Sequence, residues 1–187
     1  MTHYIDIRVL VDPEIPAYQL LSALYAKLHL ALVNLKADDI AASFPGYADK
    51  PPTLGRVLRV LGTPDGLARL TAVSWLGGLR DHLAVGEATP VPANALHRAL
   101  RRVQVKSSPE RLRRRQIKRH GITRDEALAR VPQSAAKTLQ LPFLVMASAT
   151  TDQRFRLFLQ LGPALPGRGE GCFNSYGLSG TAAIPWF

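Results

Sequence analysis

The residue types that most often carry catalysis are few in this chain, and their spacing argues against the common metal sites. The five histidines show neither the H-x-x-x-H nor the H-E-x-x-H spacing of zinc sites on helices. Carboxylates are adjacent only at Asp38-Asp39 and Asp125-Glu126, where neighbouring side chains point in different directions. The single cysteine, Cys172, cannot form an internal disulfide or a cysteine-rich zinc site. We therefore expect no metal and no other cofactor.

Acid–base chemistry without a metal needs less from the protein. RNA carries its own nucleophile, the 2′-OH group, so an enzyme that cuts RNA has to supply only a base and some positioning. His29 lies near the end of a predicted helix, on the face of Tyr18, Ser22 and Tyr25 and beside a stripe of leucines. This pattern by itself favours a packing role for His29 over a catalytic one.

A second candidate site is a helix rich in arginine. Ser108-Pro109-Glu110 is typical of a helix start, and His120-Gly121 is typical of a helix end, which predicts a helix over residues 109–120. Four basic side chains share one face at i, i+4, i+7 and i+8: Arg111, Arg115, Lys118 and Arg119. Arginine binds phosphate through two hydrogen bonds and also reaches guanine edges, so this face suits a nucleic acid.

The kind of nucleic acid follows from groove geometry. The major groove of A-form RNA is too deep and narrow for side chains except near loops, bulges and ends, so an RNA ligand should be a short stem or hairpin. A DNA-binding helix is the competing interpretation, although no turn and second helix precede it as a helix-turn-helix would require.

The distribution of charge supports a polyanionic partner. Residues 1–95 carry 8 basic and 9 acidic side chains, whereas residues 96–187 carry 16 and 5. Repulsion among the basic side chains of residues 96–187 opposes folding, and a bound polyanion would compensate for this repulsion. A merely solvated charged surface is the alternative.

The elements that must position these residues follow an α+β order. Alternating apolar residues predict a first strand at 3–11, and leucines at helical spacing predict a helix over 17–35. Further strands are predicted at 39–44, 56–61 and 82–86, with a second helix from about residue 65 to 73. This β-α-β-β-α-β order is the one of a ferredoxin-like domain, which we assign to residues 1–87.

The second half reads as a smaller α+β domain, residues 98–187, after a linker at 88–97 that contains Pro90 and Pro92. Besides the arginine-rich helix, Thr123 and Glu126 form a capping box for a further short helix. Strands are predicted at 101–106, 142–149, 153–161 and 173–178.

Several motifs together resemble a known family. They are His3-Tyr4-Ile5-Asp6-Ile7-Arg8, Lys27-Leu28-His29, the run from Arg102 to Arg115, Phe155-Arg156-Leu157-Phe158, Tyr176-Gly177-Leu178-Ser179 and the closing Pro185-Trp186-Phe187. The chain thereby resembles the CRISPR repeat-processing endoribonuclease of subtype I-F (the Csy system) over nearly its whole length. The run from Arg102 to Arg115 is the most specific of these motifs.

The resemblance implies an activity and a catalytic set. A protein of this family would bind the repeat hairpin of precursor CRISPR RNA, cut it at the 3′ base of the stem without a metal, and retain the product. Attack by the 2′-OH would leave a 2′,3′-cyclic phosphate and a 5′-hydroxyl. His29 would act as general base, Ser148 would hold the upstream ribose, and Tyr176 would orient His29.

The resemblance also implies an RNA-binding set. Phe155 would stack on the terminal base pair, while Arg102 and Gln104 would contact base edges near the foot of the stem. Five residues of the helix would lie along the groove of the stem, mostly on phosphates: Arg114, Arg115, Lys118, Arg119 and His120. The basic face of the helix adds Arg111 to this RNA-binding set. The family pattern has arginine where this chain has Lys118, which keeps the charge but loses the bidentate contact.

The expected partners are an RNA hairpin and a crRNA-guided surveillance complex, with no membrane and no small-molecule cofactor. Neither a signal peptide nor an apolar run of the ~20 residues that span a bilayer is present, which predicts a cytoplasmic protein. A non-catalytic RNA-hairpin-binding module and a basic DNA-binding protein remain alternatives.

Overall fold

The fold contains two main antiparallel sheets and four helices within the described part of the chain. The structure is a computed structural model that describes residues 1–104, 109–132, 139–148, 153–167 and 169–187. In chain order its elements are β1 (His3–Val9), α1 (Ala17–Leu35), β2 (Ala41–Ser43), β3 (Ala48–Asp49), β4 (Pro52–Thr53), β5 (Val57–Gly62), α2 (Pro64–Ala72), a 3-10 helix (Arg80–His82), β6 (Leu83–Val85), β7 (Thr89–Pro90), β8 (Leu96–Val103), α3 (Pro109–His120), α4 (Arg124–Arg130), β9 (Phe143–Ala147), β10 (Arg154–Leu165) and β11 (Ile184–Trp186). The α+β class predicted from the sequence is therefore confirmed.

Contacts divide the chain into two units, one of residues 1–103 with 141–187 and one of residues 104–140. This division differs from the predicted one, because the first unit contains both main sheets and part of the predicted linker is strand. Thr89–Pro90 pairs with β1, and β8 begins at Leu96. No helix among the described residues is long and apolar enough to cross a membrane.

The first sheet is built around β1, with the strand order β2-β5-β1-β6 and β7 also paired to β1. All of these pairings are antiparallel. Ile5, Ile7 and Val9 alternate toward the buried side of β1, as their period of two predicts.

The second sheet has the order β11-β8-β10-β9, again with antiparallel neighbours. Its buried face carries Leu100, Leu144, Met146, Leu157 and Leu159. These residues belong to the same hydrophobic core as the buried residues of the first sheet, so the first unit has one continuous core.

Helix α1 buries its leucine stripe in this core, and its bounds are those predicted from the sequence. It also covers the outer edge of β9. The Ser22 hydroxyl donates to the Tyr18 carbonyl at 2.8 Å and accepts the backbone N–H of Val145 at 3.1 Å. A strand edge that would otherwise present an unpaired donor is thereby tied to the helix that carries His29.

The second unit is a pair of helices. Helix α3 has the predicted bounds, and Gly121 follows it at φ +62° with its N–H bonded to the Ile117 carbonyl. The predicted cap Ser108 lies outside the described residues. Helix α4 begins with the predicted capping box of Thr123 and Glu126.

The predicted strand at 173–178 is wrong. Residues 174–177 form a tight turn, because the Asn174 side chain accepts backbone N–H groups and Gly177 has φ +67°. The last strand is instead β11, which pairs with the start of β8 and lengthens that strand beyond its predicted beginning.

Candidate functional site

His29 lies near the end of α1, half-buried, with its ring held by the main chain. Its Nδ1 lies 2.7 Å from the carbonyl oxygen of Ser175. A carbonyl can only accept a hydrogen bond, so Nδ1 must carry the proton. In the neutral imidazole this leaves the lone pair on Nε2, which is the tautomer a general base requires.

Tyr176 fixes the plane of the same ring. The two rings are stacked with centroids 3.9 Å apart and an interplanar angle of 4°. The carbonyl of Tyr176 accepts a hydrogen bond of 2.7 Å from the Tyr25 hydroxyl. Burial raises the pKa of Tyr25 well above its ordinary value, so that hydroxyl stays a donor.

The turn that presents Ser175 and Tyr176 is anchored at both sides. Within it, Asn174 Oδ1 accepts the backbone N–H groups of Tyr176 at 2.9 Å and Leu178 at 3.3 Å. The Gly177 carbonyl accepts the N–H of Ala42, the middle residue of β2, at 2.9 Å. A Cβ atom on Gly177 would lie 2.8 Å from that Ala42 nitrogen, so only glycine fits this approach.

Arg102 and Phe155 lie next to this pair. The guanidinium carbon of Arg102 is 5.4 Å from the centre of the Phe155 ring and 5.8 Å from the centre of the Tyr176 ring. Such distances allow cation–π attraction. A residue expected to bind RNA therefore contacts the ring that packs on His29.

Ser148 follows β9 directly, and its N–H donates to the Gln153 carbonyl at 3.0 Å. Met146 pairs with Phe155, and side chains alternate along a strand, so Ser148 is on the same face of the sheet as Phe155.

The hydrogen bond between Ser22 and Val145 is a common reference point for the positions of His29 on α1 and Ser148 after β9. Leu21 lines one pocket with Phe143 and Leu144, while Ala26 lines another with Ala147, which indicates that α1 and β9 run in the same direction. From that link, His29 lies about 10 Å further along the helix at 1.5 Å per residue. Ser148 likewise lies about 10 Å further along the strand at 3.3 Å per residue. His29 and Ser148 therefore lie at about the same distance along the junction of α1 and β9.

Helix α3 presents most of its basic side chains to solvent. Its exposed residues include Arg111, Arg114, Arg115, Lys118, Arg119 and His120. Arg113 is turned to the protein and donates from Nε to the Val131 carbonyl at 2.8 Å. Gln104 follows β8 and is exposed.

No group of three or more His, Cys, Asp and Glu residues that could hold a metal ion occurs in the part of the chain that the structure describes.

The sequence-predicted residues His29, Tyr176, Arg102 and Phe155 are thus joined by direct ring and cation contacts in the first unit. Four further residues that support them were not predicted from the sequence: Ser22, Tyr25, Asn174 and Ser175. The Asn-Ser-Tyr-Gly order is a turn signature that indicates the loop. Nothing in the spacing of residues 29 and 175 indicates that they meet.

Comparisons of this chain with a family model and with curated proteins indicate the same family. A family model described as "CRISPR-associated protein (Cas_Csy4)" matches residues 4–187. Two curated proteins named "CRISPR-associated endonuclease Cas6/Csy4" are similar to this chain over the full length of both sequences. The one from Pseudomonas aeruginosa (strain UCBPP-PA14) is 47% identical, and the one from Escherichia coli (strain UTI89 / UPEC) is 43% identical. Since these matches cover nearly all of the chain, it belongs to the Cas_Csy4 family of CRISPR-associated proteins.

Proposed function

We propose that this protein is the endoribonuclease that binds the repeat hairpin of precursor CRISPR RNA and cuts at the 3′ base of the stem. The observation that carries the proposal is the His29 imidazole, whose Nδ1 is hydrogen-bonded to a carbonyl so that Nε2 is available as a base. The relatives' name, an endonuclease of CRISPR systems, supports the same activity.

The reaction uses the RNA itself as nucleophile. His29 Nε2 takes the proton of the 2′-OH, the 2′-oxygen forms a bond to the adjacent phosphorus, and the bond from phosphorus to the 5′-oxygen breaks. The leaving oxygen takes a proton from solvent, which gives a 2′,3′-cyclic phosphate and a 5′-hydroxyl. None of these steps calls on a metal ion. Ser148 orients the upstream ribose, and the Tyr176 ring keeps the imidazole from turning.

We propose RNA contacts for residues of each unit. Phe155 stacks on the terminal base pair of the stem, and Arg102 and Gln104 bind base edges near its foot. The exposed basic residues of α3 bind mostly phosphates. The 16 basic and 5 acidic residues of the second half support a polyanionic ligand.

We further propose a ferredoxin-like first domain, which the antiparallel order β2-β5-β1-β6 supports. The protein would remain on the stem after cleavage and so become a subunit of a crRNA-guided surveillance complex.

The deciding experiment is incubation with a labelled repeat hairpin in excess EDTA. Cleavage at the 3′ base of the stem supports the endoribonuclease. Binding without cleavage would instead make the protein a non-catalytic RNA-hairpin-binding module, and binding to duplex DNA alone would overturn both.

A further inference from the structure

A solvent-open groove runs along the junction of α1 and β9. Its volume is about 430 Å³, and its walls are α1 from Tyr18 to Ala26 and β9 from Val145 to Ala147, with Arg154 beside them. Tyr18 is 58% exposed at one end, so a flexible ligand can enter from solvent.

The other end of the groove opens toward the candidate active site. His29 is three residues beyond Ala26 and therefore lies on the same face of α1, one turn further on. Ser148 is the residue after Ala147. The groove therefore begins where the scissile phosphate would lie between these two residues.

The chemistry of the groove suits single-stranded RNA. Its lining contains the Arg154 guanidinium, the Tyr18 ring and the Gln19 amide, and it contains no carboxylate. Proteins bind single strands in this way, with cations for the phosphates and aromatic rings for the bases.

The groove lies on the face of the second sheet that is opposite to Phe155. Arg154 and Phe155 are consecutive in β10, where they pair with Ala147 and Met146, so their side chains are on opposite faces. Phe155 is partly exposed at the end of a face whose next side chains, Leu157 and Leu159, are buried, so a stem stacked on its ring lies at that end of the sheet. RNA that leaves the stem between His29 and Ser148 can then reach the other face, where Arg154 is exposed.

We propose that this groove binds the single-stranded RNA that lies 3′ of the cut, with Arg154 on a phosphate and Tyr18 against a base. The proposal rests on the proposed function, because it takes its RNA from that reaction. The groove holds the leaving strand in line while the 2′-oxygen attacks, and it releases that strand once the bond is broken.

The test compares two hairpins that carry a 2′-deoxy nucleotide just upstream of the cut, which prevents cleavage. One ends at the cut, and the other continues for about five unpaired nucleotides, enough to span the groove at 3.4 Å or more per nucleotide. Affinity is measured by fluorescence anisotropy over a salt series for the wild type, Arg154→Ala, Tyr18→Ala and Arg156→Ala. Arg156 is the matched control, because it is exposed on the same face of β10 but does not line the groove.

The wild type should bind the extended hairpin about fivefold or more tightly than the short one, the lower limit for one stacked base. Arg154→Ala should reduce the salt slope for the extended hairpin by about 0.7, the value for one single-strand phosphate contact. Tyr18→Ala should lose most of the gain from the extension, and Arg156→Ala should lose none of it.

Equal wild-type affinities for the two hairpins would overturn the inference, and so would an equal effect of Arg154→Ala on both. Failure of the wild type to bind even the short hairpin would overturn the proposed function itself, which separates the two.

Discussion

At the scale of single residues, the proposed function depends on which nitrogen of His29 carries a proton. The Ser175 carbonyl fixes the proton on Nδ1, and the stacked Tyr176 ring fixes the plane of the imidazole. Both supports come from one turn, which supplies a main-chain carbonyl and a neutral aromatic ring.

Replacing His29 with alanine should reduce the single-turnover cleavage rate by about 10²–10⁴, as expected for a lost general base. Hairpin affinity should remain nearly unchanged, because one imidazole contributes little to holding a whole stem. The rate is measured with labelled hairpin and excess enzyme, and His3→Ala serves as the control histidine. A His29→Ala protein that cuts at the normal rate would contradict the assignment.

Tyr176 offers a more discriminating pair of variants. Tyr176→Phe keeps the ring that stacks on His29 and the carbonyl that accepts from Tyr25, so it should cut at nearly the wild-type rate. Tyr176→Ala removes the ring and should slow cleavage without weakening binding to the same extent. If the phenylalanine variant were as slow as the alanine variant, the hydroxyl and not the stacking would be the functional group.

At the scale of elements, α3 and β8 should contribute to affinity in different ways. Arg114→Ala or Arg119→Ala should lower the salt slope of hairpin binding by about 0.7–0.9 for every stem sequence, as a lost phosphate contact does. Arg102→Ala should cost ~1–3 kcal/mol chiefly on the matched stem. Salt series on matched and scrambled stems distinguish these results. Equal losses for all three variants on every RNA would refute base recognition by Arg102.

The contact between α1 and β9 makes Ser22 a positioning residue. Ser22→Ala leaves the part-buried N–H of Val145 without its protein partner, which should lower the free energy of unfolding by about 0.5–1.5 kcal/mol. The cleavage rate should fall as well, since His29 and Ser148 are aligned from this bond. Chemical denaturation and single-turnover kinetics measure the two effects.

Thr71→Ala is the matched control for Ser22→Ala. Among the described residues, the Thr71 hydroxyl bonds to carbonyls of its own helix, α2, so its loss should change little. Wild-type stability and rate in Ser22→Ala would show that the bond to Val145 is dispensable.

Elements with strong periodicity were predictable from the sequence, while contacts between distant segments were not. The bounds of α1 and α3 follow from repeating leucines and from end signals, and both are confirmed. The predicted strand at 173–178 failed because the Asn174 side chain competes with strand pairing for backbone N–H groups. His29 looked like a packing residue because its partners lie 146 and 147 positions away, and only the family resemblance indicated its role.

At the scale of the whole molecule, the proposed contacts predict slow turnover. In the proposed complex, α3, Arg102 and Phe155 hold the stem, and a cut at its 3′ base would leave all of these contacts in place. With substrate in large excess, one burst equal to the enzyme concentration should be followed by a slow phase. The measurement is a time course of product formation with labelled hairpin. Many rapid turnovers per enzyme would contradict retention of the product.

The position of β9 at the sheet edge also bears on how the protein behaves at high concentration. Its sequence, Phe-Leu-Val-Met-Ala, has no charge, and such an edge is prone to pair with another chain when uncovered. Helix α1 covers this edge through Ser22. Separation of α1 from β9 would therefore displace His29 and expose an edge strand that is prone to aggregate. On mild heating, loss of cleavage and the onset of light scattering should therefore follow the same time course, because the same helix carries His29 and covers the edge of β9.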